Sequence, residues 1–213
     1  MLATLCFMSV VTFGAVAEAP AFVSAQPVWF EGRETEKNVF GGFRAVFDAP
    51  EGQTATLRVT AATLYRAWIN GDYLGCGPAR GPHGYYRVDE WNLGPFLKAN
   101  GNVVAIEVAG YNANSYYLLD QPSFVQAEVI AGGAALAATG DAAKPFVGKV
   151  LAERAEKVQR YSFQRPFIEV YTLTPSFADW RRDAGESFEA TALAVCAPKA
   201  LLARGVPYPF FGV

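Results

Sequence analysis

Apolar and polar residues alternate most cleanly between Thr54 and Ala61. Ala55, Leu57, Val59 and Ala61 fall on one side, and Thr54, Thr56, Arg58 and Thr60 on the other. A period of two with one polar face predicts a half-buried strand of an antiparallel sheet. Similar short runs recur. Phe43–Phe47 is closed by the turn cluster from Asp48 to Gly52, whose Asp, Pro and Gly favour chain reversal. Leu64–Ile69 runs into Asn70-Gly71, which tolerates the positive φ of a type I′ hairpin, and Asp72–Cys76 is the returning strand. Val103–Ala109 predicts another strand, with Val103, Ala105 and Val108 among its core candidates. Phe124–Ile130 is the next, turned by Gly132-Gly133. Phe167–Leu173 and Ser187–Val195 also read as strands.

The connections carry their own signals. Gly77, Pro78, Gly81, Pro82 and Gly84 make a loop too rich in turn formers for helix or central strand. Leu93–Lys98 reads as a single helical turn, stopped by Gly101-Asn102, and Leu151–Val158 as the only plausible longer helix. Many short strands with turn chemistry between them and little helix predict an all-β fold, an antiparallel β-sandwich or jelly roll. No repeat of roughly 20–50 residues is visible, which counts against a propeller or solenoid.

Four regions follow. Residues 1–17 are apolar and end in Ala15-Val16-Ala17, the small-x-small pattern of a signal-peptidase site, although no basic residue precedes the run. The run is short for a membrane span. The expectation is a signal peptide, a secreted or periplasmic protein, and no membrane span after signal removal. Residues 18–41 form an N-terminal arm pinned by Trp29 and Phe30. Residues 42–199 are the sandwich, with 151–199 open to reading as strands of an adjoining sheet. Residues 200–213 read as the start of a linker to a downstream domain.

Composition narrows the chemistry. Of 213 residues, 52% are hydrophobic and 14% aromatic, enough for a packed core and against disorder. With 18 basic and 20 acidic residues the net charge is −2, and no basic stripe marks a nucleic-acid footprint. Cys6, Cys76 and Cys196 lack metal-ligand spacing, and no D-x-D-x-D-type calcium loop occurs, so no metal or cofactor is expected. Cys76 and Cys196 either pair or stay as buried thiols. The single histidine, His83, lies between Pro82 and Gly84 with no G-x-S-x-G elbow in the chain, so it reads as an ordinary loop residue.

The aromatic residues are dense around the hairpin and its loop: Trp68, Tyr73, Tyr85, Tyr86, Trp91, Tyr111, Tyr116 and Tyr117. One reading places them in the core or in a seam to neighbouring domains. The other is a sugar site, in which flat rings take the apolar face of a pyranose and a few polar groups bind its hydroxyls. For that reading the candidates are Arg80, Tyr85, Tyr86, Asp89 and Trp91, with Asn112 and Asn114 as further partners. Trp68 is the expected core ring, and Tyr85 and Tyr86 the expected exposed ones. Arg80 either forks onto an internal carboxylate or binds ligand. Asp89 can accept backbone N–H bonds at the start of the Leu93–Lys98 turn.

Taken in order, Asn70-Gly71, Gly77-Pro78-Ala79-Arg80, Tyr86, Asp89, Leu97 and Gly101-Asn102-Val103 form a series. It resembles the N-terminal, galactose-binding-like β-sandwich region of bacterial α-L-rhamnosidase-like glycoside hydrolases. Gln159–Arg165, Phe167–Tyr171 and Arg204–Pro209 are similar to that region as well. The resemblance covers roughly residues 28–211. It implies an accessory module, whose catalytic carboxylates would lie on a downstream helical barrel. A glycosidase needs two carboxyl groups across the scissile bond. In a strand Asp89 and Glu90 point to opposite faces, and Glu107, Asp120 and Glu128 cannot be paired from sequence. The expectation is therefore a non-catalytic accessory piece of a larger hydrolase, truncated or partial. Its partner would be the parent enzyme's catalytic domain or carbohydrate, a plant or microbial glycan. The alternatives are an autonomous carbohydrate-binding module and a structural or adhesive cell-surface sandwich.

Overall fold

The computed structural model describes residues 18–50 and 52–209, so the expected signal peptide, residues 1–17, lies outside the described residues. In chain order the strands are β1 (Val28–Phe30), β2 (Val39–Phe47), β3 (Ala55–Ala62), β4 (Leu64–Ile69), β5 (Asp72–Gly77) and β6 (Tyr85–Asn92). There follow β7 (Asn102–Gly110), β8 (Phe124–Ala131), β9 (Ala134–Ala138), β10 (Val147–Val150), β11 (Leu193–Val195) and β12 (Ala200–Ala203). They make an all-β sandwich. One sheet has the order β11-β1-β8-β3-β6-β12, with β9 also on β8, and the other the order β10-β2-β7-β4-β5. Pairings are antiparallel except that β12 runs parallel to β6.

The core lies between the sheets and follows the alternation. Ala55, Leu57, Val59 and Ala61 of β3 face Val104, Ile106 and Val108 of β7 across the sandwich, with Tyr65, Ala67 and Ile69 of β4 and Phe43 of β2. The arm contributes β1 to the sheet. Trp29 and Phe30 of β1 are fully buried, and their rings pack with Phe43 at 5.6 and 5.4 Å between centroids. Glu128 of β8, with no exposed surface, accepts backbone N–H bonds from Val23, Ser24 and Ala25 at 2.9–3.3 Å. A buried carboxylate satisfied by N–H donors is stable only while they stay in place, so Glu128 fastens the arm to the sheet.

Several expectations need correction. Val103 and Ala105 do not share the core face with Val108. All of β7 is buried because residues 151–189 cover its outer face. Leu151–Val158 is not a helix, and Phe167–Leu173 forms only isolated bridges at Phe167 and Tyr171. That covering segment is held by side chains. Trp180, in a 3-10 turn Asp179–Arg181, lies against Gly42, where a Cβ would meet its ring at 2.9 Å. Arg44 of β2 donates to the carbonyls of Asp183, Ala184 and Glu186 at 2.8–3.0 Å. Trp68 is buried, but in this outer cluster with Phe40, Tyr111, Leu151 and Trp180. Ala200–Ala203, read as the start of a linker, is β12. Among the described residues no helix is long and apolar enough to cross a membrane.

The hairpin forms as its sequence requires. Asn70 and Gly71 have φ of 54° and 92°. Asn70 also donates to the carbonyl of Phe96 at 2.9 Å and accepts from the N–H of Val103 at 2.9 Å. The helical turn is a 3-10 turn, Gly94–Phe96. Its first N–H is taken by Oδ1 of Asn92 at 2.9 Å; Asp89 has a different role.

Candidate functional site

Strand β5 ends at Gly77, the Gly77–Pro78 bond is cis, and the loop to β6 crosses the sheet edge. Clefts open on both sides of this loop. One, of about 520 Å³, lies on the outer face of the five-stranded sheet, where Arg66 of β4 sits opposite Glu107 of β7. Its lining includes Tyr73, Arg80, Tyr111, Glu169 and Arg204. The other, of about 380 Å³, is lined by His83, Tyr85, Tyr86, Tyr117 and Gln121. Leu64, Pro78, Ala79 and Arg80 belong to both walls.

Behind the loop is a buried polar network. Asp89 has no exposed surface. Its Oδ2 accepts from the Tyr65 hydroxyl at 2.5 Å and its Oδ1 from Nη1 of Arg204 at 2.6 Å. Trp91 donates from Nε1 to the Tyr65 hydroxyl at 2.9 Å and packs at a tilt against the Tyr208 ring, centroids 4.3 Å apart. The Tyr208 hydroxyl donates to the carbonyl of Glu90 and accepts its N–H. Burial raises the carboxyl of Asp89 above the usual carboxylate range, outweighing the bonds from Tyr65 and Arg204. Burial, followed by the Asp89 charge, also pushes the Tyr65 phenol well above its ordinary value. Glu90, the next residue, is exposed, as alternation along a strand dictates.

The five candidate residues are therefore divided. Arg80 lines both clefts, Tyr85 and Tyr86 line the second, and Asp89 and Trp91 line neither. Tyr85 is exposed. Tyr86 is half-buried, edge-on to Phe124 with ring centroids 4.6 Å apart. Arg80 does not reach an internal carboxylate; Arg204 does, through Nη1 alone, its Nε and Nη2 donating to the carbonyls of Val206 and Pro207. The Arg80 guanidinium lies 5.6 Å from the Tyr117 ring centroid. Asn112 and Asn114 bond to their own chain: Asn112 donates to the carbonyls of Glu34 and Glu36, and Asn114 accepts from the N–H of Asp120. Cys76 and Cys196 are free thiols, both half-buried. Among the described residues no cluster of His, Cys, Asp and Glu is arranged to hold a metal ion.

The sequence reading missed Arg66, Glu169 and Arg204. Arg66 was accessible to it, because alternation in Leu64–Ile69 puts Arg66 on the face away from Tyr65. Glu169 was not singled out, because Phe167–Leu173 reads as a strand from its sequence, whereas the fold makes it part of a covering segment with isolated bridges at Phe167 and Tyr171. In the cleft Glu107 is held by Arg181 at 3.0 Å. Glu169 is held by Arg154 at 3.1 Å and accepts from the Tyr111 and Tyr171 hydroxyls, each at 3.2 Å. Burial is the main cause pushing the Tyr111 phenol up, and burial with the neighbouring Cys76 takes Tyr73 to about 12.

No family model matches the chain, and no curated protein matches it. Solved structures do. The architecture is the β-sandwich found within α-L-rhamnosidases. A GH78 family rhamnosidase of Bacillus sp. GL1 is similar over 86% of this chain and 20% of its own, with 27% identity and a TM-score of 0.75. The α-L-rhamnosidase of Dictyoglumus thermophilum matches over 84% of this chain and 22% of its own, at 10% identity and a TM-score of 0.60, and shares the fold. This chain spans about a fifth of the length of these proteins. The resemblance carried by the ordered motif series is thus also a resemblance in three dimensions.

Proposed function

We propose that this chain acts as a non-catalytic accessory β-sandwich of an α-L-rhamnosidase-like glycoside hydrolase, supporting a catalytic domain. The observation that carries this reading is the match over 86% of this chain to only 20% of a GH78 family rhamnosidase. The carboxylates support it as well. Asp89 is engaged by Tyr65 and Arg204, Glu128 by the backbone of the arm, and Glu107 and Glu169 by Arg181 and Arg154. A hydrolytic pair needs one carboxyl free to give a proton and a second free to act as base or nucleophile. The test is hydrolysis of 4-nitrophenyl α-L-rhamnoside by the isolated chain. No turnover above the uncatalysed rate is the expected result. Turnover that disappears on Glu107→Gln or Glu169→Gln overturns the proposal.

A second reading, direct carbohydrate contact, is favoured by the cleft of about 520 Å³ beside the loop. That volume falls within the roughly 300–1,000 Å³ common for small-ligand sites. The two readings are compatible, because an accessory domain can both brace an enzyme and hold a glycan.

A further inference from the structure

We infer that the cleft on the outer face of the five-stranded sheet takes a sugar bearing a carboxylate, held by the guanidinium groups of Arg66 and Arg80. This deepens the carbohydrate-contact reading and rests on it. Most of the charges in and around the cleft are already engaged. Glu107 holds Arg181, Glu169 holds Arg154, and Arg204 is held by Asp89. Two cationic groups in the cleft make no hydrogen bond to a carboxylate. The Arg66 side chain is 45% exposed, and its nearest carboxylate oxygen, on Glu169, is 3.9 Å away, beyond hydrogen-bond range. Arg80 is exposed, and among the described residues its guanidinium has no carboxylate partner.

A guanidinium is a planar fork whose parallel N–H groups match a carboxylate bidentately. A neutral sugar leaves most of that capacity unused, and a bare inorganic anion leaves the rest of the cleft unused. Leu64, Pro78 and Ala109 give an apolar floor. Tyr73, 48% exposed, offers a ring face beside it. A uronic acid presents both halves of the match, a pyranose C–H face and one carboxylate.

The test is calorimetric titration of the chain with glucuronic acid, glucose and inorganic phosphate at neutral pH. Glucuronate is expected to bind about tenfold or more tightly than either of the others, the difference one charge-assisted bidentate contact makes. Arg66→Gln and Arg80→Gln should each weaken glucuronate binding about tenfold with an unchanged melting temperature, and added salt should weaken it further. Equal affinity for glucose, equal affinity for phosphate, no binding of glucuronate at millimolar concentration, or glucuronate binding indifferent to both substitutions overturns the inference. None of these outcomes bears on the hydrolysis assay, so the accessory reading stands or falls separately.

Discussion

Arg204 donates from Nη1 to Oδ1 of Asp89 at 2.6 Å across 115 positions of the chain, and the carboxylate it meets has no exposed surface. This ion pair ties the segment after β12 to β6. It is reinforced by the Arg204 guanidinium lying 4.0 Å over the Tyr208 ring and by the tilted Tyr208–Trp91 ring contact. Removing one partner of a buried pair leaves the other charge uncompensated, a cost of about 3–5 kcal/mol. Arg204→Ala is expected to lower the unfolding free energy by that amount in urea titration. Arg204→Lys should recover part of it, keeping the charge and losing the fork.

The same carboxyl sets a pH dependence. Because burial raises Asp89 above its ordinary value of 3.8, the folded state binds its proton more tightly than the unfolded state does. Its contribution to stability is therefore full below the ordinary value and declines as pH rises through the raised one. The stability gap between the parent chain and Asp89→Asn should be widest in acid and shrink as pH climbs above that ordinary value. Urea midpoints of the two proteins, measured side by side from acid to neutral pH, check this. A gap that widens with pH contradicts it.

Gly77 is fixed by close approach. A Cβ there would stand 2.1 Å from Oδ2 of Asp89 and 2.8 Å from the Tyr65 ring. Both neighbours are buried and bonded to each other, so neither can move aside without breaking the pair. Gly77→Ala should destabilise by about 1–3 kcal/mol, the usual range for overpacking. A thermal melt unchanged by the substitution would show that the network has more room than its distances indicate.

The segment over the outer face depends on Arg181. Its Nη2 meets Oε2 of the buried Glu107 at 3.0 Å, and its guanidinium lies 4.2 Å over the Trp68 ring. Arg181→Ala should release residues 151–189 while the inter-sheet core persists. Limited proteolysis is expected to cut within 151–189 several-fold faster than in the parent. Hydrogen exchange of β3 and β7 should change much less.

Tyr85 and Tyr86 are neighbours with different costs. Tyr85 is 49% exposed, so Tyr85→Ala should stay within about 0.5 kcal/mol of the parent, as surface substitutions usually do. Tyr86 packs edge-on to Phe124, and its hydroxyl donates to Gln121 at 3.2 Å. Tyr86→Ala should cost about 1–3 kcal/mol. Chemical denaturation of both variants tests this. It also makes Tyr85→Ala the cleaner probe of glycan contact at the second cleft.

Much of this was legible in the sequence. Alternation gave β3 and its buried face, Asn70-Gly71 gave the β4–β5 hairpin, and the turn residues from Gly77 to Gly84 gave the loop on which both clefts depend. These signals are local, because φ preferences and a period of two are properties of adjacent residues. The tertiary structure alone decided the rest. It placed Arg204 rather than Arg80 on an internal carboxylate, turned Glu128 into the fastening of the arm, and laid residues 151–189 over the face that carries Arg66 and Glu107. Each of these joins positions more than seventy residues apart. No pattern along the chain encodes which distant backbone will supply a buried charge with its partner; that is fixed only when the two sheets and their coverings close around it.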